Sequence, residues 1–456
     1  MQTRWHVLLL VLVMFFAIMA NGGNPVIKGI GMSDPHIRVF NDTLYLFSGH
    51  DGSPGDTTWV MRDWRVFSTT DLINWKLQTT ISPEDNYMGE GNTDCWAGDA
   101  ATRNGKYYFY FSDRKRSIGV MEADHPGGPY TDALGKPLVE PMHDPTIFFD
   151  QDKKKTPYII YGDKEGGGYH IAELNDDMIS LAEPPKPITI IGNAWKRAPG
   201  WMDKNYLFRH NDYYYLSWGR DYATSTNIYG PYQCAGAVGN GHHLDEYAHG
   251  SFFWWKGQFY HIWTYYLTQG FKYRECIITY CHIDDDGRIV TDTGFLDSHF
   301  STGVGQYVAS WPEIQAEWYS EKSEGITKQG SRETGFRLGN FENGSWVKFA
   351  NVDFGNQTKK LKFFASLSEI SKKGTIEIRR DNLSGQLIGK AFVNEKSKNA
   401  GETTVSCKLE KINGVHDICL IFRGKPSSSF LLDKFSFKEK KSKAVIQDHS
   451  KSDLIQ

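Results

Sequence analysis

Past its first twenty residues the sequence has no apolar stretch long enough to cross a bilayer, which excludes membrane-spanning helices from that part of the chain. Cysteine is scarce. The six residues Cys95, Cys234, Cys276, Cys281, Cys407 and Cys419 are scattered and never spaced as CxxC, so neither a disulfide scaffold nor a zinc site organises the fold. Charge of either sign is not in excess: 51 basic against 54 acidic residues give a formal net charge of −3. A nucleic-acid footprint, which needs a clustered basic surface, is therefore not expected. Long amphipathic helical patterns are also missing, which leaves an all-β chain.

What the sequence has in abundance is aromatic side chains, 14% of residues, with 14 Trp and 24 Tyr. Sugars offer apolar C–H faces beside dense hydroxyls, so sites that bind them combine aromatic platforms with carboxylates and amides. Most of the aromatics fall in β-branched and aromatic runs such as Thr43–Ser48, Lys106–Ser112, Pro157–Tyr161, Tyr213–Trp218 and Gln258–Tyr265. Asn-Gly, Asn-Asp, Gly-Gly and Asp-Gly turn signals separate them. At the N-terminus, Arg4 flanks an apolar run from Val7 to Ala20 that ends in a small residue. It is short for a membrane span and has the form of a signal peptide covering residues 1–20. No Cys follows the expected cleavage near Ala20, which argues against a lipoprotein anchor. The mature chain is expected to be soluble and exported, either secreted or periplasmic, with no membrane partner.

The strands fall into a loose repeat. Five units open on polar residues before an apolar strand: Ser33-Asp34-Pro35, Trp96-Ala97-Gly98-Asp99, His143-Asp144-Pro145, Trp201-Met202-Asp203 and His249-Gly250-Ser251. Propeller blades run to about 40–50 residues, with insertions collected on one face. Five units predict a five-bladed β-propeller over residues 25–310, its five openings converging on one funnel. From residue 314 to 438 the strands are shorter and the sequence richer in Lys, Ser and Asn, which predicts a β-sandwich of jelly-roll type. Residues 439–456 are polar and expected to be disordered.

Asp34 and Asp144 stand in Asp-Pro steps, both at unit openings. Proline cannot donate from its own nitrogen and biases the preceding residue towards extended backbone, which would fix each Asp at the mouth of an inner strand. Asp203 opens the fourth unit without a proline. Paired carboxylates facing a funnel suit glycoside hydrolysis: one group protonates the leaving oxygen and the other acts on water or on the sugar.

These motifs together resemble glycoside hydrolase family 43. Gly31–Ile37 resembles the motif of that family's general base, Val66–Lys76 its outer-blade signature, Trp96–Tyr110 its second-blade segment and His143–Ile147 the motif of its orienting Asp. His249-Gly250-Ser251 resembles the motif whose His lies near the propeller axis. The resemblance implies an inverting, exo-acting glycosidase that cleaves a polysaccharide or oligosaccharide and needs no cofactor for its chemistry. Terminal α-L-arabinofuranose or β-D-xylose is the expected target, with a β-galactofuranosidase or galactosidase as the alternative. It implies Asp34 as base and Asp144 as the orienting, pKa-tuning residue. The family's acid is a Glu, and Ala198 occupies that position here, so Asp203 is the nearest replacement. Glu246 and Glu90 are the other candidates, and a non-catalytic glycan-binding propeller is the reading if none serves. Trp96, Asp99, Trp201, His249 and Arg274 are expected to contact sugar.

Residues 314–438 resemble a carbohydrate-binding module of family 6, through Ile314-Gln315-Ala316-Glu317, Gly344-Ser345-Trp346-Val347 and Leu432-Asp433-Lys434-Phe435. The resemblance makes Glu317 and Asp433 candidate ligands for a structural Ca²⁺. The stretch that would carry the module's second clamping aromatic, residues 394–404, contains none. Within this domain Cys407 and Cys419 are expected to face each other across a hairpin centred on Asn413-Gly414.

Overall fold

The computed structural model describes residues 19–20, 22–163, 167–192, 204–238, 243–244, 249–356, 359–394, 401–424 and 430–439. The chain divides into two compact units, one ending at Val304 and one beginning at Gly305, with Lys256–Gln258 and Ile283–Gly287 grouped with the second.

The first unit is five mainly antiparallel sheets in succession, with Ile190–Ile191 running parallel beside Tyr232–Gln233 in the fourth. Their first strands are Met32–Phe40, Cys95–Arg103, Thr146–Phe149, Asn205–His210 and Ser251–Trp255. Each first strand packs on that of the next sheet, and the fifth returns to the first. This is the closed ring of a five-bladed propeller, as the repeat predicts. Tight turns drive the first hairpin of several blades. Asn41-Asp42, Asn104-Gly105 and Lys256-Gly257 each hold two consecutive residues at positive φ, the backbone that matches the right-handed twist of the flanking strands.

The blades stack face to face, so their middle strands are buried on both sides and need not alternate in polarity. Lys106–Asp113 (KYYFYFSD) is the clearest case. Between blades 1 and 2, Phe47 stacks on Phe109 at 5.7 Å and Trp64 lies 5.0 Å from Phe111. This packing accounts for most of the aromatic content. The ring closes through the segment ahead of blade 1. The Asn24 side chain donates to the carbonyl of Ile278 and accepts from its N–H, both at 2.9 Å, and the Val26 N–H donates to Cys276 O. Asn24 thus behaves like a piece of strand backbone against the third strand of blade 5.

The second unit is a sandwich of two sheets. One runs Tyr307–Val308, Trp346–Asp353, Val415–Gly424, Gly374–Arg380, Leu387–Val393, with Glu321–Lys322 beside the second strand. The other runs Thr327–Ser331, Gly335–Gly339, Leu431–Glu439, Leu361–Ser368, Thr403–Lys408, with Ile314–Gln315 beside the third. Phe349, Phe363 and Phe435 form its core, with ring centroids 4.6 and 5.7 Å from Phe435. The expected pairing of Cys407 with Cys419 is wrong. Cys407 pairs opposite Phe363 and Cys419 opposite Lys348, in different sheets, and both are free thiols. Leu409 and Ile412 are buried in the connection, and their burial carries the chain from one sheet to the other instead of closing a hairpin.

Candidate active site

Asp34 lies in the first strand of blade 1, where the pairing register slips between Ser33 and His36. Its φ is +52°, and Asp144 has φ +59° ahead of the first strand of blade 3. The extended backbone expected from the Asp-Pro steps is therefore incorrect. Pre-proline sterics disfavour the right-handed helical region but leave the left-handed one to Asp, which tolerates it better than most residues. In blade 1 the result is a bulge that re-aims one side chain out of the strand. His249 opens blade 5 with the same twist, φ +57°.

The Asp34 carboxylate is buried and paired with Arg274, through Nη1 to Oδ1 at 2.5 Å and Nη2 to Oδ2 at 3.2 Å. His249 Nδ1 lies 3.3 Å from Asp34 Oδ1. Arg274 begins the third strand of blade 5, and its other edge meets Asp51, the last residue of the second strand of blade 1. Trp59 lies flat over the guanidinium at 4.4 Å and edge-on to Trp96 at 6.4 Å. Both indoles are half-buried, and Lys272 and Arg114 cover their outer faces.

Asp144 is fully buried. Its N–H donates to Ser112 Oγ at 2.8 Å, its carbonyl accepts from Asn205 Nδ2 at 3.0 Å, and His143 Nε2 lies 3.5 Å from its carboxylate. The His143 ring in turn meets Trp96 edge-on at 5.9 Å. Below it, Lys204 donates to Pro145 O and to Thr146 Oγ1, at 2.5 and 3.2 Å. Burial pulls the Lys204 ammonium down to about 8, with Asp99 and Asp144 opposing the fall.

Asp99, expected to touch sugar, is instead sealed inside the ring. It pairs with both Nε and Nη2 of Arg38, accepts from the Ile147 N–H at 2.6 Å and faces His36 Nε2 at 3.3 Å. It joins the first strands of blades 1, 2 and 3, a structural clamp for the funnel. Burial first, then the charges of Lys204 and Arg38, hold His36 well below the ordinary histidine range. Trp201, Asp203 and Glu246 lie outside the described residues. Glu90 is exposed in the loop before blade 2.

Sequence reasoning missed Asp51, Trp59 and Lys204. Asp51 left one signal, an acid ending a strand that begins on a mostly apolar run (TLYLFSGHD). In the sandwich, Ile314–Gln315 pairs with Lys434 and Phe435, so the two ends of that domain do meet. Glu317 is buried, and Asp433 lies 3.5 Å from Arg337. Among the described residues no three His, Cys, Asp or Glu gather to hold a metal.

Two carboxylates on the openings of different blades, one gripped by a guanidinium and one sealed, suit a site that handles a proton and orients its partner. Comparison with known proteins agrees. Residues 23–289 match the model for glycosyl hydrolases family 43, and residues 315–439 match that for carbohydrate binding module family 6. The chain is 26% identical over 493 residues to an arabinoxylan arabinofuranohydrolase of Paenibacillus polymyxa, covering 91% of this chain and 74% of that one. It is 27% identical over 339 residues to xylosidase/arabinosidase 43A of Humicola insolens, covering 59% and 98%. Among solved structures, a β-xylosidase/α-arabinofuranosidase from a compost metagenome, in complex with xylotriose and in a calcium-free form, matches with TM-score 0.52 and 26% identity, covering 60% of this chain and 98% of that one. An arabinoxylan arabinofuranohydrolase from Bacillus subtilis matches in fold with TM-score 0.53 at 22% identity, covering 92% and 98%.

Proposed function

Because the chain belongs to glycosyl hydrolases family 43, whose members cleave O-glycosidic bonds with inversion, we propose that it removes terminal pentose residues, α-L-arabinofuranose or β-D-xylose, from a plant-type polysaccharide. The observation that carries this reading is Asp34, turned out of its strand by a bulge and fixed by Arg274 at the mouth of the ring. The arabinofuranosidase and xylosidase names of its relatives support the choice of sugar.

In this reading Asp34 takes the proton of a water as its oxygen attacks the anomeric carbon. A second carboxyl, about 6.5–9.5 Å away in inverting enzymes, protonates the departing oxygen. Asp203 is assigned that role on its position directly before Lys204, which is anchored beneath Asp144. Asp144, closed to solvent, is assigned the orienting role towards the acid. Trp96 offers an apolar wall to the sugar's C–H face, while Trp59, with Arg274 and Lys272 over its ring, backs the guanidinium. No cofactor is needed for these steps.

The C-terminal family 6 carbohydrate-binding module would hold the enzyme near its polymer. The meeting of its two ends is the support for a structural calcium at Glu317 and Asp433, and the Arg337 charge beside Asp433 counts against it. Export rests on Arg4 and the apolar run to Ala20.

The test is a panel of nitrophenyl glycosides. Release from the α-L-arabinofuranoside or the β-D-xyloside, with the first-formed sugar of opposite anomeric configuration by NMR, is expected. Release from the β-D-galactofuranoside alone would move the substrate class, and retention of configuration would overturn the mechanism.

A further inference from the structure

The guanidinium of Arg274 is shared between two buried carboxylates. Its Nη1 and Nη2 grip Asp34, while its Nε and Nη2 grip Asp51 at 3.0 and 2.9 Å. The Arg274 backbone N–H adds a third bond to Asp51, at 2.8 Å. Asp51 is wholly buried and is itself fixed, its N–H donating to Gly31 O at 2.8 Å. Its strand slips register between Gly49 and Asp51, so a second bulge turns this acid inward beside the first. Burial raises the Asp51 carboxyl, and the guanidinium opposes that rise.

A buried arginine with one carboxylate partner could meet it through either of two edges. A second carboxylate on the Nε edge removes that freedom and leaves only the Nη1–Nη2 edge for Asp34.

We infer that Asp51 is a positioning residue for the reaction: acting through Arg274, it holds Asp34 in line with the attacking water. The inference rests on the reading of Asp34 as the base. Asp51 touches neither substrate nor water in this role. Arg274 and His249 face Asp34 directly, and Lys204, Asp51 and the Cys276 thiol lie within electrostatic reach.

The experiment is Asp51→Asn in the full chain, with kcat and KM measured on the aryl glycoside that the wild type hydrolyses best. Asparagine keeps the shape and one acceptor but loses the charge. The expected result is a fall in kcat of about 10²-fold, the scale of a misplaced reacting group, with KM within about twofold. Asp51→Glu, which restores the charge, should return part of the lost kcat. A kcat within about threefold of wild type would refute the inference, set against that expected loss. If neither Asp51→Asn nor Asp51→Glu folds by near-UV circular dichroism, Asp51 is a folding residue and the inference also fails. Asp34→Asn alongside separates the two failures. An active Asp34→Asn overturns the reading of the base, and this inference with it. An inactive Asp34→Asn beside an unaltered Asp51→Asn overturns the inference alone.

Discussion

A general base must be held where the attacking water will be, and Asp34, the residue proposed for that role, is held by two guanidinium bonds and the left-handed twist of its own backbone. Removing the base typically costs about 10²–10⁴ in rate. Asp34→Asn should therefore fold and lose nearly all turnover, and a variant keeping more than about a tenth of wild-type rate would contradict the assignment. The acid is identified through the leaving group. A sugar hydroxyl needs its oxygen protonated as the bond breaks, while nitrophenolate departs without that help. Asp203→Ala should slow release from natural oligosaccharides far more than from nitrophenyl glycosides, whereas Glu246→Ala and Glu90→Ala should not discriminate. Equal slowing of both substrates by Asp203→Ala would remove it from the role. At this scale the sequence was legible where one residue and its neighbour suffice: the two Asp-Pro steps marked Asp34 and Asp144, although the conformation inferred for them was wrong. Arg274 was legible only as a sugar contact. Its partners Asp34 and Asp51 lie 240 and 223 residues away, and no local pattern records a pairing made by ring closure. Asp99 misled for the same reason, since its partners in blades 1 and 3 appear only once the ring has formed.

Elements in this chain are specified by turns and then joined by a few buried polar groups. Two-residue turns at positive φ and runs of aromatic residues were readable, which is why blade strands such as Pro157–Tyr161 and Tyr213–Trp218 match expectation. Leu387–Val393 leaves a weaker signal, because it is an edge strand exposing Leu387 and Phe392 among short polar flanks. The connection from Cys407 to Cys419 was misread because a turn signal tells where the chain reverses, not which sheet it enters next. Ring closure has a comparable hidden element in Asn24, whose side chain satisfies both backbone groups of Ile278. Leaving a buried backbone donor or acceptor unpaired costs about 1–3 kcal/mol. Asn24→Ala should therefore lower the stability of the propeller by roughly that amount or somewhat more. Asn24→Asp should not restore it, because a carboxylate cannot donate to the Ile278 carbonyl. Urea unfolding followed by tryptophan fluorescence measures both, and an Asn24→Ala midpoint equal to wild type would mean that closure does not depend on this contact.

Across the propeller as a whole, polar groups sealed between blades couple stability to pH. His261 is buried in blade 5, its ring between Phe252 at 4.3 Å and Trp263 at 4.5 Å, with Nδ1 3.0 Å from Thr291 Oγ1. Burial pulls its pKa down to about 3, and His36 at the centre of the ring is lowered in the same direction. The unfolded chain would titrate these imidazoles near 6.5. Between about pH 3 and 6.5 the unfolded state therefore binds protons that the folded state refuses, and stability must fall as pH drops through that window. At pH 5 the loss is on the order of 2 kcal/mol for His261, and it is absent at pH 8. Buried carboxyls with raised pKa, Asp51 and Asp113, act with the opposite sign, so the slope of the wild type alone does not isolate the imidazoles. A difference does. His261→Asn keeps a polar group near Thr291 but cannot be protonated, so the carboxyl contributions cancel between variant and wild type. The variant should be the less stable protein at pH 8, because it loses two ring stacks. Its deficit should shrink steadily as pH falls from 6.5 to 5, because only in the wild type does the unfolded chain gain a proton at this position that the folded state refuses. Calorimetry at matched ionic strength supplies the two curves, and parallel curves across that range would mean that His261 does not carry the coupling.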